Sequence, residues 1–231
     1  MKTFLVLFAL ISSMYCFGHS AEVENKNDIV IENEQVRFII GGNGVAKSLL
    51  YKPTNEECLV PGINMHVFFV TQERPFHNEI KLAYPTQEMT FNAKSVKKEG
   101  DELIIDFELI FYKARVKVDI TPSYINFTIM DFFIDDNDYG LGVNEGILPP
   151  VYKMNFIQLP VRDREYFGEW LNVCWDTDLA INVLATDIHA RIDGEKRDGY
   201  RIMRAAVERE VKLLDVSAAL IVCKTDDLLT I

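Results

Sequence analysis

The chain has 231 residues, 48% hydrophobic and 11% aromatic, with a formal net charge of −11 at pH 7. Such a composition supports a sizeable globular core. The acidity and the lack of a basic cluster argue against a nucleic-acid partner or an anionic membrane surface, and neutral substrates fit best.

The chain opens with the layout of a secretory leader: Met1-Lys2 is positive, Thr3 to Phe17 is almost wholly apolar, and Gly18-His19-Ser20 supplies small residues for cleavage after Ser20. The apolar run is too short for a membrane span. Lipidation at Cys16 is an alternative, disfavoured by the bulky Tyr15 before it. The expected organisation is a leader over residues 1–20, a β-sandwich over 21–224 and the start of a further segment over 225–231. The expected location is secreted, periplasmic or at the cell surface.

The mature part reads as successive β-strands separated by turns. Val36, Phe38 and Ile40 alternate with Arg37 and Ile39, as in a half-buried strand, and Gly-Gly-Asn-Gly at 41–44 reads as a hairpin turn. Another turn is expected at Pro53-Thr54-Asn55-Glu56 and another strand over Met65 to Gln72. From Asp101 onward, Leu103, Ile105, Phe107, Leu109 and Phe111 share one face, and then Ala114, Val116, Val118 and Ile120 take the inner one. That change of parity requires a turn or bulge near Tyr112-Lys113. Further strands are read at Tyr124–Ile134, Met154–Pro160, Gly168–Asp176, Leu179–Asp187, His189–Asp193, Gly199–Ala205, Glu208–Val216 and Ser217–Lys224. The fold class is therefore all-β, a large antiparallel sandwich, with a helix starting at the C-terminus. There Thr225 reads as N-cap with Asp226 and Asp227 in the first turn, which suggests a fragment whose parent continues into another domain.

The chemistry-bearing residues are sparse. Asp135, Asp136 and Asp138 precede a glycine and offer oxygen ligands for calcium, the one cofactor considered. The EF-hand spacing fails, and a solvated loop explains the same residues. Asn126-Phe127-Thr128 is a glycosylation sequon within a strand. His66, His77 and His189 have no metal-ligand spacing with one another or with a cysteine. Cys58, Cys174 and Cys223 read as buried small hydrophobes, with one disulfide among them as the alternative. Glu145, Glu165, Glu169, Asp176 and Asp178 are available carboxylates, but nothing selects a hydrolytic pair.

The segment Gly168 to Asp187 holds both tryptophans of the chain. A regular strand sends Trp170 and Trp175 to opposite faces, so they cannot share one pocket. Asp176-Thr177-Asp178 reads as a hairpin turn. Trp170, Trp175 and Asp176 are the candidate carbohydrate contacts, with at most one tryptophan free to stack on a sugar ring.

The stretch from Ile29 to Glu57 resembles the opening of galactose mutarotase-like β-supersandwich domains. Asn33, Val36, Ile40, Gly44, Ser48, Leu49, Lys52, Thr54 and Glu57 carry the resemblance. It implies an N-terminal domain of a secreted carbohydrate-active enzyme such as a glycoside hydrolase. Its partners would be a carbohydrate and the catalytic domain of the same parent chain, with catalytic residues in that domain. The alternatives are an aldose epimerase or polysaccharide-cleaving enzyme of the same fold, or a stand-alone glycan-binding protein. Epimerases of this fold use a His and a Glu, and neither His66 nor His189 has a matching motif.

Overall fold

The computed structural model describes residues 27–74, 87–109, 112–134, 151–208 and 214–230. The leader, His77, the aspartates at 135, 136 and 138, Glu145 and most of the strand expected over Glu208–Val216 lie outside them. The described chain is almost entirely β.

Four strands, β1 (Ile29–Glu32), β2 (Val36–Ile40), β3 (Ala46–Tyr51) and β4 (Glu56–Glu57), form a small antiparallel sheet in sequence order. The residues that carry the family resemblance build its corners. Asn33 accepts the Gln35 and Val36 amides through Oδ1 and donates Nδ2 to the Thr121 carbonyl. Glu57 Oε1 accepts from the Leu49 and Leu59 amides, and Ser48 donates its hydroxyl to the same carboxylate. Gly44 has φ +81°, and a Cβ there would stand 2.6 Å from that of Ala93. The turn and its packing both need glycine.

The other strands are β5 (Phe69–Arg74), β6 (Gln87–Glu99), β7 (Glu102–Phe107), β8 (Tyr112–Ile120), β9 (Tyr124–Ile134) and β10 (Val151–Arg162). They continue with β11 (Tyr166–Gly168), β12 (Val173–Trp175), β13 (Leu179–Ala185), β14 (Arg191–Arg197), β15 (Tyr200–Glu208) and β16 (Ser217–Lys224). Their hydrogen-bonded order is β11-β12-β13-β16-β9-β8-β7-β6-β5-β10-β15-β14. The long strand β6 belongs to two halves: Gln87–Asn92 pairs with β5, and Ala93–Glu99 pairs with β7. The register shifts between Ala93 and Ser95, where the sheet turns over on itself. Buried residues from both halves then meet in one cluster, Phe127, Ile181 and Leu220 on one side with Met154, Leu159 and Met203 on the other. Ile31, Phe38 and Leu49 of the small sheet join it. This is a sandwich, with strand alternation feeding its interior.

Three expectations are corrected in detail. The strand after Met65 begins at Phe69, because Ala46 and Val67 pair instead with Met65 and Gly44 in the approach to it. Ile120 ends β8 exposed rather than inward. Thr225–Thr230 coils as a 3-10 turn, not as the start of an α-helix. Thr225 donates its hydroxyl to the Asp176 carbonyl, which ties this turn to the end of the β12 hairpin. No helix among the described residues is long and apolar enough to cross a membrane.

Candidate functional site

The tryptophan-bearing stretch is a hairpin, not one strand. β11 pairs with β12 through Tyr166–Trp175, Phe167–Cys174 and Gly168–Val173, and Glu169–Leu171 forms a 3-10 turn between them. Asn172 closes the turn in the left-handed conformation, φ 48° and ψ 47°. The expected opposition of the two tryptophans across a regular strand is replaced by a separation along the hairpin. Trp170 stands on the tip, 93% exposed. Trp175 lies at the far end of β12 on the outer face, stacked on Tyr166 at 5.5 Å with 26° between rings. Trp175 packs against a small outer-face cluster of Ala180, Ala219, Ile221 and Cys223.

Asp176 is committed to the turn that follows. Its Oδ1 accepts the Asp178 and Leu179 amides at 2.9 Å each, and its Oδ2 accepts from Arg164 at 2.6 Å. Arg164, nearly buried, also donates to Glu56 of β4 and so ties the hairpin end to the small sheet. Burial opposes charge at both ends of this pair. The amides and Arg164 outweigh it at Asp176 and hold its carboxyl below its ordinary value, while Glu56 and Asp176 keep Arg164 charged. A carboxyl with a depressed folded-state pKa adds stability above its unfolded pKa, and that stability is lost as pH falls through the folded value. Asp176→Asn keeps a turn acceptor but loses the charge, at an expected cost of about 1–2 kcal/mol near neutrality. Urea unfolding across pH should show the gap to wild type closing below about pH 4; a gap independent of pH would refute the assignment.

The other candidates are dispersed. Glu165, Glu169 and Asp178 are exposed around the hairpin. His66 Nδ1 is buried without a partner beside β5, whereas His189 sits in the β13–β14 loop with its amide bonded to Asp187. Asn126 points from β9 with Nδ2 bonded to Thr128 and Oδ1 to Thr186. The cysteines are free and buried, and burial pushes the Cys58 thiol up to about 12 and those of Cys174 and Cys223 to about 11. Such thiols are poor nucleophiles at neutral pH. No group of three or more His, Cys, Asp or Glu among the described residues is placed to hold a metal.

Two surfaces were not legible in the sequence. The first is apolar and lies at the hairpin tip. Leu171 ends the 3-10 turn, where Asn182 Nδ2 of β13 reaches its carbonyl at 3.4 Å. Ile188, in the loop that follows β13, is 92% exposed. Trp170, Leu171, Leu184 and Ile188 each present a large apolar side chain to solvent. The second surface is a groove of about 370 Å³ on the outer face of the β5–β10–β15–β14 half, lined among others by Phe69, Lys153, Arg191, Asp193 and Arg204. Its residues are far apart in sequence and share a face only through strand register.

No family model matches the chain, and no curated protein matches it. Among solved structures it is similar to a GH31 family sulfoquinovosidase from E. rectale in complex with the aza-sugar inhibitor IFGSQ, with a TM-score of 0.36 and 9% identity. The match covers 84% of this chain and 32% of that one, so the chain spans about a third of that protein's length.

Proposed function

We propose that this is an exported, galactose mutarotase-like β-sandwich domain, N-terminal in a carbohydrate-active enzyme of the glycoside hydrolase kind. Its role is to pack on a catalytic domain and rim that domain's sugar site. The observation that carries the reading is the apolar tip, where Trp170 and Ile188 are both more than nine-tenths exposed. Large apolar side chains held out in solvent around a turn are the kind of surface that serves as an interaction site, and tryptophan is a frequent binding hot spot. The buried, high-pKa cysteines and the commitment of Asp176 to its turn supply no catalytic group at the hairpin. The sugar-contact role of Trp175 is kept for its outer-face stack with Tyr166.

Trp170→Ala should leave the isolated chain's stability within about 0.5 kcal/mol of wild type, because the ring touches little of the fold. Association with the catalytic domain of the parent, followed by titration calorimetry, should weaken by about 2 kcal/mol or more. The isolated chain should neither alter the anomeric ratio of a free sugar nor release fragments from a glycan. Turnover by this chain alone would overturn the proposal in favour of an epimerase or a cleaving enzyme.

A further inference from the structure

Strand β9 carries Asn126-Phe127-Thr128, an acceptor sequon that packing on a catalytic domain does not use. Strand alternation divides it between the two faces of the sheet. Ile125, Phe127 and Ile129 are fully buried in the sandwich interior, so Tyr124, Asn126 and Thr128 stand on the outer face. Tyr124 packs against the outer-face cluster of Ala180, Ala219, Ile221 and Cys223, which fixes that direction. Asn126 pairs with Asp119 of β8 on one side and with Ala219 of β16 on the other. Directly paired residues share a face, and neither neighbour overhangs it: Ala219 ends at Cβ, and the Asp119 side chain is 46% exposed.

The side chain of Asn126 can take a substituent without losing a hydrogen bond. Its Oδ1 accepts the Thr186 hydroxyl at 2.9 Å, and its Nδ2 donates to Thr128 Oγ1 at 3.2 Å. A side-chain amide nitrogen carries two hydrogens. One is committed to Thr128, and the other can be exchanged for a sugar carbon with both hydrogen bonds kept. The hydroxyl at Thr128 is also what an Asn-x-Ser/Thr acceptor requires. The ring of Tyr124, about 7 Å back along the same face of the strand, offers an apolar surface to the first sugar.

Topology supplies an independent argument. Transfer of an oligosaccharide needs an accessible acceptor, whereas the finished β9 is an inner strand held between β8 and β16. Its two sides are not completed together. β8 precedes β9 directly and pairs with it as a hairpin, from Ile120 and Ile125 outward. β16 is the last strand of the chain, and even Thr186, which closes over Asn126 Oδ1, comes 60 residues after it. At about 5–20 residues per second, synthesis leaves the Asn126 edge of β9 open for at least roughly 3–12 s. The acceptor is therefore extended and unpaired on one side while the chain is being made, and it faces outward once the sheet has closed.

We propose that Asn126 is a site of N-linked glycosylation, with the glycan standing on the outer face of β9 and β16 and both side-chain hydrogen bonds kept. In the transfer, Asn126 Nδ2 bonds to C1 of an oligosaccharide carried on a polyprenyl diphosphate. The C1–O bond to the diphosphate breaks, its electron pair stays on the phosphate oxygen, and the amide proton passes to a base of the transferase. The proposal rests on the exported part of the reading above, because the donor is met along the secretory route. The full chain is expressed in cultured eukaryotic cells with its own leader and, in parallel, with residues 1–20 exchanged for a leader of proven export. An amidase that cleaves asparagine-linked glycans should raise the chain's gel mobility and convert the modified amide to a carboxyl in the peptide holding position 126, read by mass spectrometry. Asn126→Gln and Thr128→Ala should each abolish that shift, and Thr128→Ser should keep it. Transfer precedes folding, so this readout survives in a variant that folds poorly. The glycosylated chain should unfold at the same urea concentration as the amidase-treated chain, or a higher one. The proposal falls if the chain behind the proven leader carries no glycan, if the shift persists in Asn126→Gln, or if the glycan lowers the urea midpoint. Modification behind the proven leader alone would support the site and overturn export by the chain's own leader, so the two failures are separable.

Discussion

Asn172→Ala is expected to cost the fold about 2–4 kcal/mol, a lowering of the midpoint by roughly 4–16 °C for a domain of this size. Two independent causes add. The residue is held at φ 48°, a conformation that costs an alanine about 1 kcal/mol or more and an asparagine less. Its Nδ2 also donates to two carbonyls, that of Val183 on its own half of the sandwich and that of Arg204 on the other, both at 3.1 Å. One buried side chain thus joins the two halves, and its removal leaves two carbonyls without their donor. Comparison with glycine separates the causes. Asn172→Gly relieves the backbone and retains only the hydrogen-bond loss, about 1–2 kcal/mol. Asn172→Asp should be worse than alanine, because it removes the donor and faces two carbonyls with a buried charge. Urea unfolding of the three variants checks the order glycine, alanine, aspartate; equal losses for glycine and alanine would remove the backbone term.

Asn172 also shows where reading by alternation stops. Gly168 to Trp175 alternates well enough to pass for a strand, since side-chain parity carries no information on whether the chain continues straight. The 3-10 turn and the left-handed asparagine are set by contacts with Val183 and Arg204, which follow by 11 and 32 residues. By contrast, the strands over Tyr124–Ile134 and Ser217–Lys224 and the turn at Asp176 were legible, because local pattern and turn chemistry agree with the final environment. β6 was not. Gln87–Glu99 is mostly polar, yet it is the strand shared by both halves, and its only fully buried side chains in the described part are Ala93 and Val96. The same limit hides the groove. Phe69, Asn155, Arg191 and Arg204 become neighbours only when β5, β10, β15 and β14 are placed in order, and no spacing along the chain announces that order.

The edge of that surface rests on the chain's second sensitive position, Gly194 in β14. Its side-chain direction is inward, toward the β11–β12 hairpin, and a Cβ there would stand 2.3 Å from Phe167 Cζ and 3.1 Å from Asn172 Oδ1. Phe167 has little room to retreat, because Arg201 lies 4.7 Å above its ring and is itself bonded to Asp163. Gly194→Ala must therefore displace β14 or the hairpin, at an expected cost of about 1–3 kcal/mol from overpacking. Phe167→Leu alone should cost about 1 kcal/mol, as part of the ring's packing is lost. The double variant should be more stable than the sum of the two losses predicts, by about 0.5 kcal/mol or more, because the shortened side chain vacates the space that the new methyl takes. Strict additivity in thermal or urea unfolding would show that the close approach is not what requires glycine. The strain has a direction as well as a size: pushing β14 outward carries Asp193 and Glu195, which flank Gly194, and with them their contacts to Arg204 of β15.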